Sequence, residues 1–178
     1  MPTVEKFSPC KVNLMLAILG PRPDGFHELL SLVAPTKFGD TLIAETAAGK
    51  TCDSLECNME GVPTDSSNLV IKAAELFRQK TGLKTFFNFR LEKRVPAGAG
   101  LGGGSSNGAS ALLAVNELCG TPLKINDLES IAAQMGSDCP LFLTQTPGVM
   151  RGRGEKVYPL RGAARECISR LKLLIFKP

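Results

Sequence analysis

Aromatic and histidine side chains are scarce in this sequence, which has no tryptophan, one tyrosine and one histidine. Its net charge of +4 comes from lysines and arginines that are spread along the chain without a long basic run. Proteins that bind nucleic acid usually combine a basic stripe with aromatic side chains that stack on bases. Because both features are missing, the sequence does not indicate a nucleic-acid partner.

Metal-binding and membrane-spanning patterns are missing as well. Six cysteines are scattered without a C-x-x-C pair, and the single histidine, His27, does not complete a zinc ligand set. No stretch approaches the roughly 18 uninterrupted apolar residues of a membrane helix, and the N-terminal residues lack the apolar core of a signal peptide. We therefore expect a soluble cytoplasmic protein with free thiols and no membrane partner, whose oligomeric state the sequence leaves open.

The spacing of apolar residues predicts several strands and helices. Residues 11–19 are expected to form a strand that ends at the Gly- and Pro-rich turn of residues 20–25. Helical spacing predicts a helix over residues 68–80, and period-two alternation predicts a strand over residues 85–91. Further extended segments are expected at residues 26–33, 41–45 and 54–58.

Glycine is concentrated between the predicted strand of residues 85–91 and a predicted helix over residues 107–119. Glycines allow positive φ and a close approach of the backbone to an anion, and a helix N-terminus offers free N–H groups and about half a positive charge. We therefore expect this segment, called the glycine loop below, to hold phosphate. It consists of Pro96, Ala97, Gly98, Ala99, Gly100, Leu101, Gly102, Gly103, Gly104, Ser105 and Ser106.

Several well-known phosphate loops do not fit the glycine loop. A Walker A loop requires a lysine after its last glycine, but Gly104 is followed by Ser105. The residues from Gly98 to Gly103 match G-x-G-x-x-G, yet Pro96 interrupts the junction and no acidic residue ends a second strand. A flexible linker is the remaining alternative, and the ordered elements on both sides of the loop disfavour it.

The spacing Pro-x-x-x-Gly-Leu-Gly-x-x-Ser-Ser, which starts at Pro96, resembles the phosphate-binding motif of GHMP kinases. Residues 8–14 (Ser-Pro-Cys-Lys-Val-Asn-Leu) and 24–28 (Asp-Gly-Phe-His-Glu) resemble motifs of one branch of that family, with Cys10 in place of an alanine and Phe26 in place of the commoner tyrosine. The branch uses ATP to phosphorylate the 2-hydroxyl of a cytidine-diphosphate methylerythritol during isoprenoid precursor synthesis. Two later segments, residues 136–142 and 152–155, also resemble family motifs.

The resemblance implies a two-layer α+β fold of the ribosomal S5 domain 2-like type. Residues 1–178 are expected to form the N-terminal, ATP-binding domain of a GHMP kinase. Complete family members carry a C-terminal domain with a third glycine-rich motif, which we expect to be absent or truncated. The final residues, 173–178, resemble the strand and proline that lead into that second half.

The resemblance also implies roles for individual residues. Asp138 is expected to accept the proton of the substrate hydroxyl, while Lys11 orients that hydroxyl and neutralises developing charge. Asn13 is expected to bind substrate, Phe26 to stack on the cytosine and His27 to donate or accept a hydrogen bond with the base. Without the resemblance, Asp138 would be interpreted as a cap before a proline and Lys11 as a solvated lysine at a strand start.

ATP and Mg²⁺ are the implied cofactors. The glycine loop is expected to bind the triphosphate, with Ser105 or Ser106 near the magnesium ion. Asn68 lines the adenine pocket or caps the helix that follows it, and the sequence favours neither. The alternatives for the whole chain are another GHMP small-molecule kinase, of the homoserine or mevalonate type, and a non-catalytic S5-like domain that binds nucleic acid.

Overall fold

The computed structural model describes residues 2–169, and within them six strands form one sheet that is accompanied by five helices. The predicted α+β fold is confirmed, whereas the strand expected at residues 173–178 lies outside the described residues. The strands are β1 (Thr3–Pro21), β2 (His27–Thr46), β3 (Ser54–Cys57), β4 (Phe87–Glu92), β5 (Gly148–Gly152) and β6 (Lys156–Pro159). The helices are α1 (Leu69–Thr81), α2 (Gly103–Leu118), α3 (Ile125–Met135), α4 (Cys139–Thr144) and α5 (Gly162–Ser169).

The first two strands are longer than the sequence pattern predicts. β1 begins at Thr3 instead of residue 11, because it pairs with β2 as far as Glu45. The extended segments predicted at residues 26–33 and 41–45 are two parts of the single strand β2. Between β1 and β2, the backbone N–H of Arg22 donates to the carbonyl of Phe26 at 2.7 Å and closes the predicted turn.

β2 is the central strand of the sheet. It pairs with β1 along almost its whole length, with β4 through residues 41–46 and with β5 through residues 29–33, always antiparallel. β3 lies parallel to β4 at one end of the sheet, and β6 lies antiparallel to β5 at the other. The sheet is therefore mixed, and every part of it is connected through β2.

Two irregularities interrupt the pairing of β1 with β2 on either side of Lys11. The register shifts between Pro9 and Lys11, and again between Asn13 and Met15. Bulges of this kind redirect side chains and are common beside functional sites. They place Lys11 and Asn13 in a part of β1 that departs from regular alternation.

Helix α2 contacts α1, α3 and α4 as well as strands β1 and β2, so it is the centre of the helical layer. Phe87, Phe89 and Leu91 of β4 are buried and Arg90 is exposed, which confirms the predicted alternation. Burying each large apolar side chain stabilises the fold by about 1.5–3 kcal/mol. The largest fully buried side chains include Phe77, Phe87, Phe142, Leu42, Leu91, Leu112 and Leu141.

Between residues 2 and 169, no helix combines the length and the apolar character that a membrane span requires.

Candidate functional site

The glycine loop (residues 96–106) bends sharply and lies against β1. Gly98, Gly100 and Gly102 have φ angles of +73°, +72° and +69°, a region that favours glycine because it lacks a Cβ. The carbonyl of Leu101 accepts a hydrogen bond from the backbone N–H of Lys11 at 2.8 Å. The loop is therefore fixed next to the bulged part of β1.

Helix α2 begins inside the glycine loop, at Gly103 and not at residue 107 as the sequence predicts. The reason is that Gly102 takes a left-handed conformation at the N-cap, and its carbonyl accepts from the N–H of Ser106 at 2.9 Å. A glycine cap has no side chain that would accept from the first N–H groups of the helix. Those groups are therefore available to a bound anion such as phosphate.

A buried cluster of Asp40, Lys93 and Asn107, called the Asp40 cluster below, joins both ends of the glycine loop to the sheet. One carboxylate oxygen of Asp40 accepts from the N–H groups of Arg94 and Val95 at 2.6 and 2.8 Å. The other accepts from Lys93 Nζ at 2.5 Å and from Asn107 Nδ2 at 2.9 Å. Lys93 Nζ also donates to Asn107 Oδ1 at 3.0 Å. Buried charges require such complete hydrogen bonding.

Sequence reasoning missed the Asp40 cluster. Lys93 precedes the glycine loop and Asn107 follows it, but Asp40 lies 53 residues before Lys93 in the chain. No local pattern relates a carboxylate in the middle of a long strand to a lysine at the end of another. The available signal was a lysine and an asparagine on either side of an expected phosphate loop.

Lys11 and Asp138 lie together, as the family resemblance implies. Lys11 Nζ is 3.5 Å from Oδ2 of Asp138 and donates to Oδ1 of Asn13 at 2.6 Å. Asn13 Nδ2 in turn donates to the hydroxyl of Ser31 at 2.7 Å. Only 8% of Lys11 is exposed, so it is not a solvated lysine at a strand start. A Cβ added at Gly102 would lie 3.0 Å from Lys11 Cγ, so the glycine loop covers this lysine.

Asp138 occupies the N-cap position of α4, but its side chain makes no capping hydrogen bond. Pro140 in the first turn lacks an N–H, which reduces the need for a cap. One third of the Asp138 side chain, 33%, is exposed. A Cβ added at Gly154 would lie 3.6 Å from Oδ1 of Asp138, so the glycine there leaves room beside the carboxylate. The interpretation of Asp138 as a simple cap is therefore wrong.

The two serines at the end of the glycine loop differ in their surroundings. Ser106 is fully buried, and its hydroxyl has no hydrogen-bond partner among the residues that the structure describes. Ser105 is only half-buried. It lies beside Cys139, where burial raises the pKa of the thiol to about 11, the Ser105 hydroxyl lowers it and the Asp138 carboxylate raises it further. Cys139 therefore stays protonated at neutral pH and is not a nucleophile.

The turn between β1 and β2 presents Phe26 and His27, and residues 22–28 are called the Phe26 turn below. The guanidinium of Arg22 pairs with Asp24 at 3.0 Å and with Glu28 at 2.6 Å. These hydrogen bonds hold the pKa of both carboxyls below their ordinary values. Phe26 is 52% exposed and His27 is exposed as well, so both side chains are accessible to a ligand.

The structure brings some of the predicted site residues together and separates others. Lys11, Asn13 and Asp138 meet beside the glycine loop, whereas the Phe26 turn lies at the opposite end of β1 from its N-terminus. Asn68 is the N-cap of α1: its side chain accepts from the N–H of Val70 at 2.9 Å. The helix-capping alternative for Asn68 is thus confirmed, and its contact with adenine stays a prediction.

The chain is similar in sequence to known kinases. Residues 68–145 match the family model described as the GHMP kinases N terminal domain. The chain is 45% identical over 172 residues to the chloroplastic 4-diphosphocytidyl-2-C-methyl-D-erythritol kinase of Oryza sativa subsp. japonica, which covers 97% of this chain and 42% of the relative. It is 43% identical over 178 residues to the 4-diphosphocytidyl-2-C-methyl-D-erythritol kinase of Protochlamydia amoebophila, which covers 100% of this chain and 59% of the relative.

A solved structure shows the same fold. The crystal structure of a 4-(cytidine 5'-diphospho)-2C-methyl-D-erythritol kinase matches with a TM-score of 0.73 and 37% sequence identity, over 88% of this chain and 55% of that chain. The chain thus spans about half the length of the curated relatives it matches.

Proposed function

We propose that the chain, which is similar to the N-terminal domain of GHMP kinases over residues 68–145, transfers the terminal phosphoryl group of ATP to the 2-hydroxyl of 4-diphosphocytidyl-2-C-methyl-D-erythritol. The observation that carries the proposal is the position of Lys11 Nζ, 3.5 Å from the carboxylate of Asp138 and under the glycine loop. A general base and a cation beside a phosphate-binding helix N-terminus are what phosphoryl transfer to an alcohol needs.

Asp138 acts as the proton acceptor in this proposal. The substrate oxygen forms a bond to the γ-phosphorus, the bond from that phosphorus to the bridging oxygen breaks, and the hydroxyl proton passes to the carboxylate. Lys11 holds a positive charge beside the reacting hydroxyl, where negative charge develops. The Asn13 side chain accepts a hydrogen bond from Lys11 and donates one to Ser31. We therefore assign Asn13 first to orienting Lys11 and only second to contacting the substrate.

The glycine loop binds the triphosphate of ATP in this proposal. Its support is the left-handed Gly102 at the N-cap of α2, which leaves the first N–H groups of the helix to an anion. The Asp40 cluster holds both ends of the loop before the nucleotide arrives. A loop that is already in position loses less conformational entropy on binding.

Magnesium fits the oxygen groups beside the loop. Within residues 2–169, no three His, Cys, Asp or Glu side chains gather as a metal site. Mg²⁺ is commonly held by one or two protein oxygens together with substrate phosphates and water, and it then neutralises charge on the phosphates. Of the two candidate serines, Ser105 is the one we assign to this ion, because Ser106 is fully buried.

The Phe26 turn is assigned to the cytidine end of the substrate. An exposed phenylalanine ring offers a stacking surface for a planar base, and the neighbouring His27 offers ring nitrogens that hydrogen-bond. Homoserine and mevalonate contain no such base. The accessibility of Phe26 therefore favours the cytidine-bearing alcohol over these rival substrates.

The test measures the release of ADP when the chain is incubated with ATP and each of a panel of alcohols. The full-length relative from Protochlamydia amoebophila is the positive control. The panel contains the cytidine-diphosphate alcohol, the same alcohol without the nucleotide, homoserine and mevalonate. We expect turnover of the first alone. Equal turnover of homoserine or mevalonate would contradict the assignment of the substrate, and binding of RNA without any ADP release would favour the non-catalytic alternative.

We also propose that the chain works in a reducing compartment, the cytoplasm that the sequence predicts. The support is that all six cysteines are free, two of them exposed. Plant relatives are described as chloroplastic, so the compartment is tested by localising the protein in its own cell.

A further inference from the structure

The turn between β5 and β6 contacts the Phe26 turn and lies next to Asp138, and nothing above assigns it a function. On one side, the guanidinium carbon of Arg153 lies 4.6 Å from the centroid of the Phe26 ring. On the other side, a Cβ added at Gly154 would lie 3.6 Å from Oδ1 of Asp138. A single turn thus lies between the surface assigned to the base and the assigned proton acceptor.

The backbone of this turn is fixed by hydrogen bonds. The N–H of Gly152 donates to a carboxylate oxygen of Glu28 at 3.0 Å, which links the turn to the Phe26 turn. The N–H of Arg153 donates to Oε2 of Glu155 at 2.6 Å, and Gly152 has a φ of +74°. Because the backbone on both sides of the contact is held, the placement of Arg153 over Phe26 follows from the fold.

In the part of the chain that the structure describes, Arg153 forms no close ion pair, although the pKa of Asp24 is lowered by the hydrogen bond from Arg22 and, from a distance, by the charge of Arg153. Arg22 forms ion pairs with Asp24 and Glu28, but within residues 2–169 no carboxylate oxygen lies within 4.0 Å of the Arg153 guanidinium. A guanidinium stacks well on an aromatic face and still keeps donors at its edge for an anion. Since 52% of Phe26 is exposed, the ring remains accessible while Arg153 contacts it.

We propose that Arg153 is a specificity-determining residue for the cytidine diphosphate end of the substrate. It holds the ring of Phe26 in one orientation for the base, and its charge attracts the diphosphate that is attached to that base. Because the Phe26 ring is already held, binding of the base restricts its rotation less and loses less conformational entropy. This inference rests on the proposed function, because it assumes that Phe26 receives a cytidine nucleotide.

The experiment is calorimetric titration of the chain with cytidine 5'-diphosphate, cytidine and a non-hydrolysable ATP analogue. Arg153→Met keeps the length of the side chain but removes its charge and its planar group, and Arg153→Lys restores the charge alone. Arg151→Met is the matched control, because Arg151 is an exposed arginine two residues away on β5. All variants are melted to confirm that they fold.

We expect Arg153→Met to weaken binding of cytidine 5'-diphosphate by about three- to tenfold, the size of an exposed cation–π contact together with one charge on a diphosphate. Arg153→Lys should recover part of this loss, and cytidine should lose less because it has no phosphate. Affinity for the ATP analogue should not change, and Arg151→Met should behave like the unaltered chain.

The other possible results contradict either the role of Arg153 or the cytidine assignment. Unchanged binding of cytidine 5'-diphosphate by a folded Arg153→Met variant would overturn the role of Arg153 and leave the proposed function intact. An equal loss for the ATP analogue would show a general structural effect and would also overturn it. No binding of cytidine 5'-diphosphate by the unaltered chain would overturn the cytidine assignment itself, and this inference with it.

Discussion

The two ends of the candidate site are held by different kinds of interaction. At the glycine loop, the side chains of Lys93 and Asp40 are 4% and 0% exposed. At the Phe26 turn, the side chains of Arg22, Asp24 and Glu28 are 26%, 42% and 38% exposed. Removing one partner of a buried pair costs about 3–5 kcal/mol, whereas an exposed pair contributes about 0–1 kcal/mol.

The difference indicates that the glycine loop is held by interactions that also stabilise the fold, while the Phe26 turn is held by weaker surface contacts. A change at the Asp40 cluster alters stability and nucleotide binding together. A change at the Phe26 turn alters ligand choice with little effect on stability. The carboxylate of Asp138 lies 3.5 Å from Lys11 Nζ, beside the glycine loop, and accepts the substrate proton in the proposed function.

The largest effect is expected for Asp138→Asn, which separates chemistry from both binding regions. The amide has nearly the same size but cannot accept the proton, so kcat should fall by roughly 10² to 10⁴. Affinity for an ATP analogue should hardly change, and the melting temperature should fall only slightly, because Asp138 makes no capping hydrogen bond and is 33% exposed, so that water screens its pairing with Lys11. Steady-state rates and thermal melts measure both.

Two further variants sharpen this prediction. Lys11→Met should lower kcat more than it raises KM, since the lost charge acts on the reacting groups. Asp127→Asn is the control, because Asp127 is a partly exposed aspartate of α3 that pairs with Lys80 away from the site. A folded Asp138→Asn enzyme with normal kcat would contradict the proposed mechanism.

The next largest effect is expected for Lys93→Met, which removes the cation of the Asp40 cluster. The buried carboxylate of Asp40 then lacks its charge partner, so the free energy of unfolding should fall by about 3–5 kcal/mol in urea. Lys84→Met, at an exposed lysine, should change it by less than about 0.5 kcal/mol.

A double variant, Asp40→Asn with Lys93→Met, decides whether the loss comes from the unpaired charge. It should recover part of the stability that Lys93→Met loses, because no charge then remains buried. A loss below about 1 kcal/mol for Lys93→Met would mean that the Asp40 cluster stabilises the fold no more than an exposed ion pair does. The glycine loop and the Phe26 turn would then not differ in how they are held.

A smaller effect is expected for Gly102→Ala. The residue has a φ of +69°, and a Cβ would lie 3.0 Å from both Lys11 Cγ and Phe142 Cζ. We expect a loss of about 1–3 kcal/mol in stability, and a fall of about tenfold or more in affinity for an ATP analogue as the loop shifts. Calorimetry and urea unfolding measure the two quantities.

Gly49→Ala is the matched control for backbone strain. Gly49 has a φ of +71° but no atom within 4 Å of an added Cβ, so this variant should lose stability without losing nucleotide affinity. If both variants kept full affinity for the nucleotide, the glycine loop would not be the phosphate site.

The sequence predicted the local parts of this site and missed the parts that depend on long-range pairing. The glycine loop and the alternation of β4 depend on neighbouring residues, so the sequence pattern alone predicts them. The start of α2 was placed four residues late, because glycines are poor helix formers and the cap at Gly102 depends on a left-handed backbone. Asp40 could not be found, since its donors come from β4 and α2.

The roles proposed for Lys11 and Asp138 rest on the family resemblance and not on their local sequence. Each side chain alone fitted an ordinary structural role, because a lysine at a strand start and an aspartate before a proline are common. Their distance of 3.5 Å depends on the position of β1 relative to α4. The contact of Arg153 with Phe26 likewise depends on the pairing of β5 with β2.

The smallest effect is expected from acid, at the Phe26 turn. Hydrogen bonds from Arg22 lower the pKa of Asp24 and of Glu28 in the folded state. A carboxyl whose folded pKa is lowered contributes stability that is fully present above its unfolded pKa, about 3.9 for Asp and 4.3 for Glu, and that is lost as the pH falls through the folded pKa. The turn should therefore keep its ion pairs from pH 8 down to about pH 5 and lose them only in stronger acid.

Carboxyl ¹³C titration by NMR measures this directly, with Arg22→Met as the comparison. In the unaltered chain the midpoints of Asp24 and Glu28 should lie below the ordinary values, and in Arg22→Met they should return toward them. Asp127 is an internal control, because its pKa is lowered by Lys80 and should stay lowered in both proteins. Ordinary midpoints for Asp24 and Glu28 in the unaltered chain would mean that Arg22 does not hold the turn. The orientation of the Phe26 ring would then depend more strongly on Arg153, which would make Arg153→Met more damaging to cytidine binding than the exposed contact predicts.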